Sequence, residues 1–177
     1  MTQKIALIGA GAMGGAIGTR LADTGNMLTV FDLDAERVQA LVARGARPAG
    51  SAAEAASVSD FVVSSLNSPK VVDAAVFGPE GVAEGAKPRT LIIDMSSIDP
   101  PATKALAARA AAMDLRWVDS PLSGGPQKAL TGELTLMAGG EAADVEEAHN
   151  VLKHVSSNYT HMGPSGAGQA TKLINQV

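Results

Sequence analysis

The sequence of 177 residues contains no cysteine, and this absence removes several chemistries at once. Without cysteine the chain can form neither a disulfide scaffold nor a thiolate zinc site, and it offers no cysteine nucleophile. Aromatic residues make up only 3% of the chain, whereas 46% of its residues are hydrophobic, so its core must be built largely from small aliphatic side chains. A chain of this length buries about 70% of its unfolded surface and needs no covalent or metal staple.

An excess of positive charge is missing as well. Fourteen Lys and Arg against 18 Asp and Glu give a formal net charge of -4, and no segment concentrates basic residues as a nucleic-acid surface would. No apolar run reaches the roughly 18 residues of a membrane span. The apolar start, IALIGAGAMGGAIG, is too rich in glycine for a secretory signal and continues into Arg20 and Asp23. We therefore expect a cytoplasmic protein whose partners include neither nucleic acid nor membrane.

Short aliphatic runs alternate with alanine-rich helical stretches along most of the chain. The predicted strands, of which the last two are weaker, are 4–8, 27–32, 60–66, 90–95, 116–120, 133–138 and 159–162. The predicted helices are 13–23, 35–43, 52–56, 69–77, 101–113 and 142–155, and a last one starts after residue 166. Loops rich in Gly and Pro are expected at 78–89 and 124–132. Continuous apolar strands that alternate with helices favour an α/β fold, a Rossmann-type, doubly wound, mainly parallel sheet covered by helices.

The first predicted strand runs directly into GAGAMG at residues 9–14, and a helix follows. This is the G-x-G-x-x-G pattern of dinucleotide-binding turns in its required setting. Gly9 permits the tight turn, Gly11 lets a pyrophosphate approach the backbone, and Gly14 lets the helix lie close to the strand. Ala12 and Met13 begin the helix whose free N–H groups would face the phosphates. A glycine turn with a purely structural role is the alternative, which the surrounding strand and helix disfavour.

An acidic residue, Asp32, stands at the end of the second predicted strand. A carboxylate there can accept hydrogen bonds from the adenosine ribose and would repel the 2′-phosphate of NADP. The next residue is Leu33 rather than arginine, although Arg37, one helical turn later, could compensate in part. The pattern therefore favours NAD as the cofactor, with NADP less favoured. A solvated charge or a helix cap is the alternative role for Asp32, but Asp34 is the better cap candidate.

Four further segments carry a family resemblance: LNSP at 66–69, DMSS at 94–97, DSPLSGG at 119–125 and GPSGAGQATKLINQ at 163–176. Together with GAGAMG, and in this order, they resemble the β-hydroxyacid dehydrogenase family. That family includes 3-hydroxyisobutyrate dehydrogenase and tartronate semialdehyde reductase (2-hydroxy-3-oxopropionate reductase), with 6-phosphogluconate dehydrogenase as a more distant relative. The resemblance implies an oxidoreductase that transfers a hydride between NAD and a small β-hydroxy acid or its semialdehyde.

The resemblance also assigns roles to residues of the substrate site. It implies that Lys172 is the general acid/base, and an ammonium beside a cationic nicotinamide in a partly dry cleft can exchange a proton near neutrality. Asn175, three positions later on the same helical face, is expected to bind the substrate, with Gln176 as its rival. Ser123, Gly124 and Gly125 are expected to cradle the substrate carboxylate, Ser123 also as part of the catalytic set. A turn that only links two parts of the sheet is the alternative for these three.

Three more cofactor contacts follow from the resemblance: Leu66, Asn67 and Ser96. Asn67 departs from the proline that the family usually has there, and Ser97 is an adjacent rival of Ser96. The three histidines show no metal-ligand spacing with one another or with a carboxylate cluster, so we expect no metal. No dense set of basic residues suggests a sugar phosphate, which makes 6-phosphogluconate the weaker choice of substrate.

The resemblance divides the chain into an NAD-binding domain over 1–163 and the start of an interdomain helix over 164–177. Family members continue into an all-helical domain, absent from this chain, that closes the substrate cleft and forms the homo-oligomer. We therefore expect a fragment of such an enzyme that is poorly active alone. Two alternatives stay open: a non-catalytic dinucleotide-binding or interaction module, and an imine reductase-like enzyme, which generally lacks the lysine and prefers NADPH. The presence of Lys172 disfavours both alternatives, and Asp32 disfavours the imine reductase-like enzyme.

Overall fold

A single sheet runs through the part of the chain that the computed structural model describes, residues 1–176. Its strands are β1 (Lys4–Ile8), β2 (Met27–Phe31), β3 (Arg47–Pro48), β4 (Phe61–Ser64), β5 (Leu91–Asp94), β6 (Arg116–Asp119), β7 (Leu122–Ser123), β8 (Leu134–Gly139) and β9 (Ser156–Gly163). The strand order is β3-β2-β1-β4-β5-β6-β8-β7, and β9 pairs with β8. Every pair from β3 to β6 is parallel, as is β8 with β9, whereas β8 runs antiparallel to β6 and β7. The predicted doubly wound, mainly parallel sheet is confirmed.

Helices connect the strands, and some of them begin at a side chain that caps their free N–H groups. They are α1 (Ala12–Asp23), α2 (Ala35–Val42), α3 (Ala52–Ser57), α4 (Pro69–Phe77), α5 (Val82–Gly85), α6 (Pro100–Ala112), α7 (Gly125–Thr131), α8 (Ala142–Leu152) and α9 (Ala167–Asn175). Asp34, Ser51, Ser68 and Asp99 cap α2, α3, α4 and α6 through their side-chain oxygens. Helix α1 begins instead at Gly11, which has no side chain to offer, so its first N–H groups are left for another acceptor.

Two apolar clusters, one on each face of the sheet, form the core. Because successive side chains of a strand point to opposite faces, β1 divides its residues between the clusters. Ile5 and Leu7 pack with residues of α1, α2 and α8, whereas Ala6 and Ile8 pack with residues of α3, α4 and α6. Burial on both faces explains why the central strands are continuously apolar, as the sequence indicated.

The structure differs from the sequence prediction mainly in its short elements. The predicted loop 124–132 contains α7, whose proline in the first turn and left-handed Gly132 at the end are ordinary helix boundaries. The predicted loop 78–89 contains α5, and the two-residue strands β3 and β7 were not predicted. Each of these elements has seven residues or fewer, too few for a clear helix or strand repeat in the sequence.

Candidate active site

The carboxyl ends of β1, β2, β4 and β5 open into one cleft of about 1150 Å³. The strand order reverses between β1 and β4, and in open parallel sheets that reversal leaves a crevice at the carboxyl edge. All the residues predicted to bind the cofactor line this cleft: Gly9, Gly11, Ala12, Met13, Gly14, Asp32, Leu66, Asn67 and Ser96. The structure therefore brings together a set of residues that the sequence spreads over almost ninety positions.

The glycines of the first turn are needed for different reasons. Gly9 has a φ of 92°, and a side chain there would meet the carbonyl oxygen of Ser65 at 2.5 Å. A Cβ at Gly14 would overlap the carbonyl of Gly9, so the chain itself requires both of these glycines. A Cβ at Gly11 would meet only the Arg37 guanidinium, at 3.9 Å. Gly11 therefore leaves open space at the start of α1, on the wall of the cleft.

Asp32 directly follows β2 and holds the glycine turn. Its Oδ2 accepts a hydrogen bond from the Ala10 N–H at 2.6 Å, and its Oδ1 accepts one from the Asp34 N–H at 2.8 Å. Arg37 lies 3.9 Å from the same Oδ1, with half of its side chain exposed. Each carboxylate oxygen can accept a second hydrogen bond. Asp32 can thus bind hydroxyl groups of a ligand while it keeps the turn in place. Asp34 caps α2, as the sequence predicted.

Ser96 connects the two turns that follow β4 and β5. Its Oγ accepts a hydrogen bond from the Leu66 N–H at 2.9 Å, and its own N–H donates to Oδ1 of Asp94 at 3.2 Å. The same Oδ1 accepts a hydrogen bond from the Ser64 hydroxyl at 2.9 Å. Asp94 is fully buried, and this burial raises its pKa to about 6 although the hydrogen bonds from Ser96 and Ser64 oppose the shift. The buried carboxyl of Asp94 therefore holds Ser96 in place, and Ser96 lines the cleft.

Asp119, the last residue of β6, lies beside Asp94 in the strand register and fixes the start of α9. Its Oδ1 accepts a hydrogen bond from the Gly166 N–H at 2.8 Å, and its Oδ2 accepts one from the Gln169 N–H at 3.0 Å. Burial raises the pKa of Asp119, and these backbone hydrogen bonds oppose that shift. Gly168 lies so close that a Cβ would be 2.8 Å from the Asp119 Oδ2. The carboxylate thus takes the place of an N-cap side chain for the helix that carries Lys172.

Lys172 lines a second, smaller cavity of about 240 Å³ beside the cleft. Gln169, Asp99 and Ser97 belong to the same lining, and Ser97 also lines the larger cleft. Lys172 is half-buried, with its helix placed against β8 and β9. The predicted general acid/base therefore lies next to the predicted cofactor cleft.

The structure does not gather all the predicted substrate residues around Lys172. Asn175 and Ser123 are exposed, and with Gly124 and Gly125 they lie outside the lining of both cavities. Leu122, directly before Ser123, does line the cleft. Gly124 and Gly125 have φ of 132° and 74° and lead into α7, so the predicted carboxylate cradle lies at a helix start beside the cleft.

Sequence reasoning missed Gln169, whose side chain is buried at 1% exposure. A glutamine inside a helix is ordinary in sequence, and only the burial of an uncharged amide would have pointed to it. It also missed the far wall of the cleft, which is formed by Gly50, Ser51, Val71, Ala74, Ala75, Pro79, Glu80 and Gly81. These residues come from α3, α4 and the loops around them, where no motif marks them.

Within residues 1–176, no three side chains of His, Asp or Glu lie close enough together to hold a metal ion. In the same part of the chain, no helix is both long and apolar enough to cross a membrane.

Comparison with known families identifies the chain. Residues 4–163 match the model of the NAD-binding domain of 6-phosphogluconate dehydrogenase. The chain belongs to this NAD-binding domain family. The resemblance to the β-hydroxyacid dehydrogenases and the prediction of NAD as the cofactor are thereby confirmed.

Individual relatives of this NAD-binding domain are similar along almost the whole chain. An uncharacterised oxidoreductase of Synechocystis is 40% identical over 177 residues, 99% of this chain and 61% of that protein. The 3-sulfolactaldehyde reductase of Escherichia coli is 40% identical over 171 residues, 97% of this chain and 57% of the reductase. The chain therefore spans about three-fifths of the length of the curated relatives that it matches.

Solved structures agree with the fold of this NAD-binding domain. The 3-hydroxyisobutyrate dehydrogenase of Mycobacterium tuberculosis, solved with L-serine, has a TM-score of 0.94 and 31% identity, over 99% of this chain and 59% of that one. An imine reductase variant of Myxococcus stipitatus, in complex with NAD+, has a TM-score of 0.90 and 25% identity, over 99% and 61% of the two chains. The fold is thus shared by a 3-hydroxyisobutyrate dehydrogenase and an imine reductase.

Proposed function

We propose that this chain is the NAD-binding part of an oxidoreductase that transfers a hydride between NAD and a small β-hydroxy acid or its semialdehyde. The observation that carries the proposal is the open space at Gly11. The chain has no steric need for a glycine there, yet the position faces the cleft and the uncapped start of α1. A pyrophosphate would use that space and those free N–H groups.

The remaining cofactor residues fit a dinucleotide laid across the cleft. Asp32 at the end of β2 would accept hydrogen bonds from the adenosine ribose hydroxyls, and its negative charge disfavours the 2′-phosphate of NADP. Leu66, Asn67 and Ser96 would then line the opposite, nicotinamide end, because β4 and β5 lie on the other side of β1 from β2. Bound NAD supplies the hydride acceptor or donor.

Lys172 is proposed as the general acid/base. It would pass a proton to the substrate oxygen during reduction of a carbonyl, or take it during oxidation of a hydroxyl. Asn175 or its rival Gln176, which lines the small cavity together with Lys172, would orient the same oxygen, and Ser123, Gly124 and Gly125 would bind the acid group. A small acid with a hydroxyl or carbonyl a few bonds from the acid group is supported by the named relatives, a 3-sulfolactaldehyde reductase and a 3-hydroxyisobutyrate dehydrogenase.

We also propose that the domain boundary lies at residue 163. The family model ends there, and α9 begins shortly afterwards at Ala167. Residues 164–177 would then start the helix that leads from the cofactor domain to a helical domain, which in the whole protein closes over the substrate and forms the homo-oligomer.

Calorimetric titration of the chain with NADH and with NADPH tests the proposal. We expect the chain to bind NADH more tightly than NADPH. Gly11→Ala should weaken NADH binding at least tenfold, which is about 1.4 kcal/mol, because the methyl group occupies the space of the pyrophosphate. Its melting temperature should stay within a few degrees of the parent, since the methyl group would meet only the Arg37 guanidinium, at 3.9 Å.

Gly14→Ala is the contrasting variant. Its Cβ overlaps the Gly9 carbonyl, so the melting temperature itself should fall. If Gly11→Ala binds NADH as tightly as the parent, the glycine turn does not hold the pyrophosphate and the proposal is wrong.

A further inference from the structure

The side chain of Gln169 joins α9 to the wall of the cleft through two hydrogen bonds. Its Nε2 donates to the carbonyl oxygen of Ser96 at 2.7 Å, and its Oε1 accepts from the Ile98 N–H at 3.2 Å. Both ends of one amide are therefore used on a single turn, residues 96–98. Because the glutamine is 1% exposed, removal of its side chain leaves two buried backbone groups without their protein partner.

The turn that Gln169 holds is part of the cofactor cleft. Ser96 and Ser97 line it, and the Ser96 Oγ accepts the hydrogen bond from Leu66, a second lining residue. A dinucleotide that contacts these residues would order the turn. The turn would transmit this order to Gln169, since the amide is bonded to the backbone on both sides of Ser97.

The other end of this connection is Lys172. It lies three positions after Gln169, on the same face of α9, and lines the small cavity together with Gln169 and Ser97. The start of α9 is fixed independently by Asp119, whereas Leu173 and Ile174, in its last turn, are exposed. Gln169 is thus a buried polar contact between the turn that lines the cleft and the helix that carries the residue proposed to exchange the proton.

We propose that Gln169 is a positioning residue that couples occupancy of the nicotinamide end of the cleft to the placement of Lys172. The proposal rests on the proposed function, in that the ligand of the cleft is a dinucleotide. Coupling between two sites is reciprocal. Binding of NADH should therefore order α9, and loss of the glutamine should weaken NADH binding.

The test uses two ligands and two readouts on the chain itself. NADH spans the whole cleft, whereas ADP lacks both the nicotinamide and its ribose and reaches only the glycine turn and Asp32. We would measure both affinities by calorimetry, and the amide hydrogen exchange of α9 with each ligand by mass spectrometry. In the parent, NADH should slow exchange in α9 about fivefold or more, and ADP should not.

Gln169→Met has a similar volume and loses both hydrogen bonds. We expect its NADH affinity to fall about tenfold and its ADP affinity to stay within twofold of the parent, with no NADH-dependent protection of α9. Gln169→Asn carries the same amide on a side chain one carbon shorter, which cannot reach both partners at once, so it should show a partial loss. It is the variant to measure if Gln169→Met does not fold.

Thr171→Val is the matched control on the same helix. The Thr171 hydroxyl bonds only to the Ala167 carbonyl within α9, so this variant loosens the helix without touching the turn. It should keep both the affinity difference and the protection. The inference is overturned if the parent binds NADH without protection of α9, or if Gln169→Met keeps the parent's affinities and protection. If the parent binds no NADH at all, the proposed function fails, and the inference fails with it.

Discussion

The buried carboxyl of Asp94 should make the stability of this domain decrease as the pH rises. Burial raises the pKa of Asp94 from 3.8 to about 6, so the folded chain binds a proton that the unfolded chain has already lost in this range. At about 1.4 kcal/mol per pH unit, this difference corresponds to about 3 kcal/mol. The stabilisation is complete below pH 3.8 and is lost as the pH rises through about 6.

Asp94→Asn removes this dependence with little change in shape. Its amide oxygen can still accept the hydrogen bonds from Ser64 and Ser96. In the parent, Asp94 Oδ2 is buried and has no hydrogen-bond partner, so the amide nitrogen of the variant breaks no existing contact. Asp119 lies beside Asp94 on the neighbouring strand, and burial raises its pKa as well. Because Asp119 is present in both proteins, its own contribution to the pH dependence largely cancels in the comparison.

Urea denaturation at pH 4.5 and at pH 7.5 measures the effect. Between these pH values the parent should lose about 2 kcal/mol of unfolding free energy relative to Asp94→Asn, because the interval covers about two-thirds of the transition. Asp23→Asn, an exposed carboxyl paired with Arg44, is the control and should follow the parent within about 0.5 kcal/mol. A difference below about 0.5 kcal/mol for Asp94→Asn, or one of opposite sign, would refute the reasoning.

Two other variants test separate contacts. Asp32→Asn removes the charge that repels a 2′-phosphate, so calorimetry should show the preference for NADH over NADPH reduced at least tenfold; an unchanged preference would contradict the role of Asp32. Arg116→Met leaves Asp144 and Glu147 without their largely buried partner and should cost about 2 kcal/mol in urea at pH 7. Arg44→Met, at an exposed pair with Asp23, should cost under about 0.5 kcal/mol. Since Arg116 lowers the pKa of Glu147, the cost of Arg116→Met should shrink below pH 4.5.

The long elements of the fold could be predicted because several signals in the sequence mark each of them. The strand before Gly9 is apolar on both faces, since each face meets its own cluster, and the glycine pattern then marks the turn and the helix. Helix α7 escaped prediction because its glycines and proline are also typical of a loop. The sequence alone does not distinguish a proline that starts a helix from one that ends it in so short a segment.

The candidate site could be predicted where a motif names its residues, and not where burial alone creates the role. The clearance around Gly11 and Gly14 differs greatly, although both belong to the same pattern, because it depends on what the fold places opposite each Cα. Asp119 was visible only as part of the DSPLSGG segment, and nothing in that segment indicates that its carboxylate holds a helix that begins almost fifty residues later.

The change from parallel to antiparallel pairing between β6 and β8 also affects how the domain unfolds. From β1 to β6 each strand is joined to the next by four or five residue pairs, whereas β6 and β8 share the single pair Asp119 and Gly139. Side-chain hydrogen bonds add to this junction between β6 and β8. Asp119 accepts one from the Gly166 N–H at the start of α9, and Arg116 donates one to Asp144 in α8. The chain after residue 121 is therefore held to the parallel strands mainly by side-chain packing, since it shares one apolar cluster with α1 and β1, and we expect loss of that packing rather than of strand pairing to separate it.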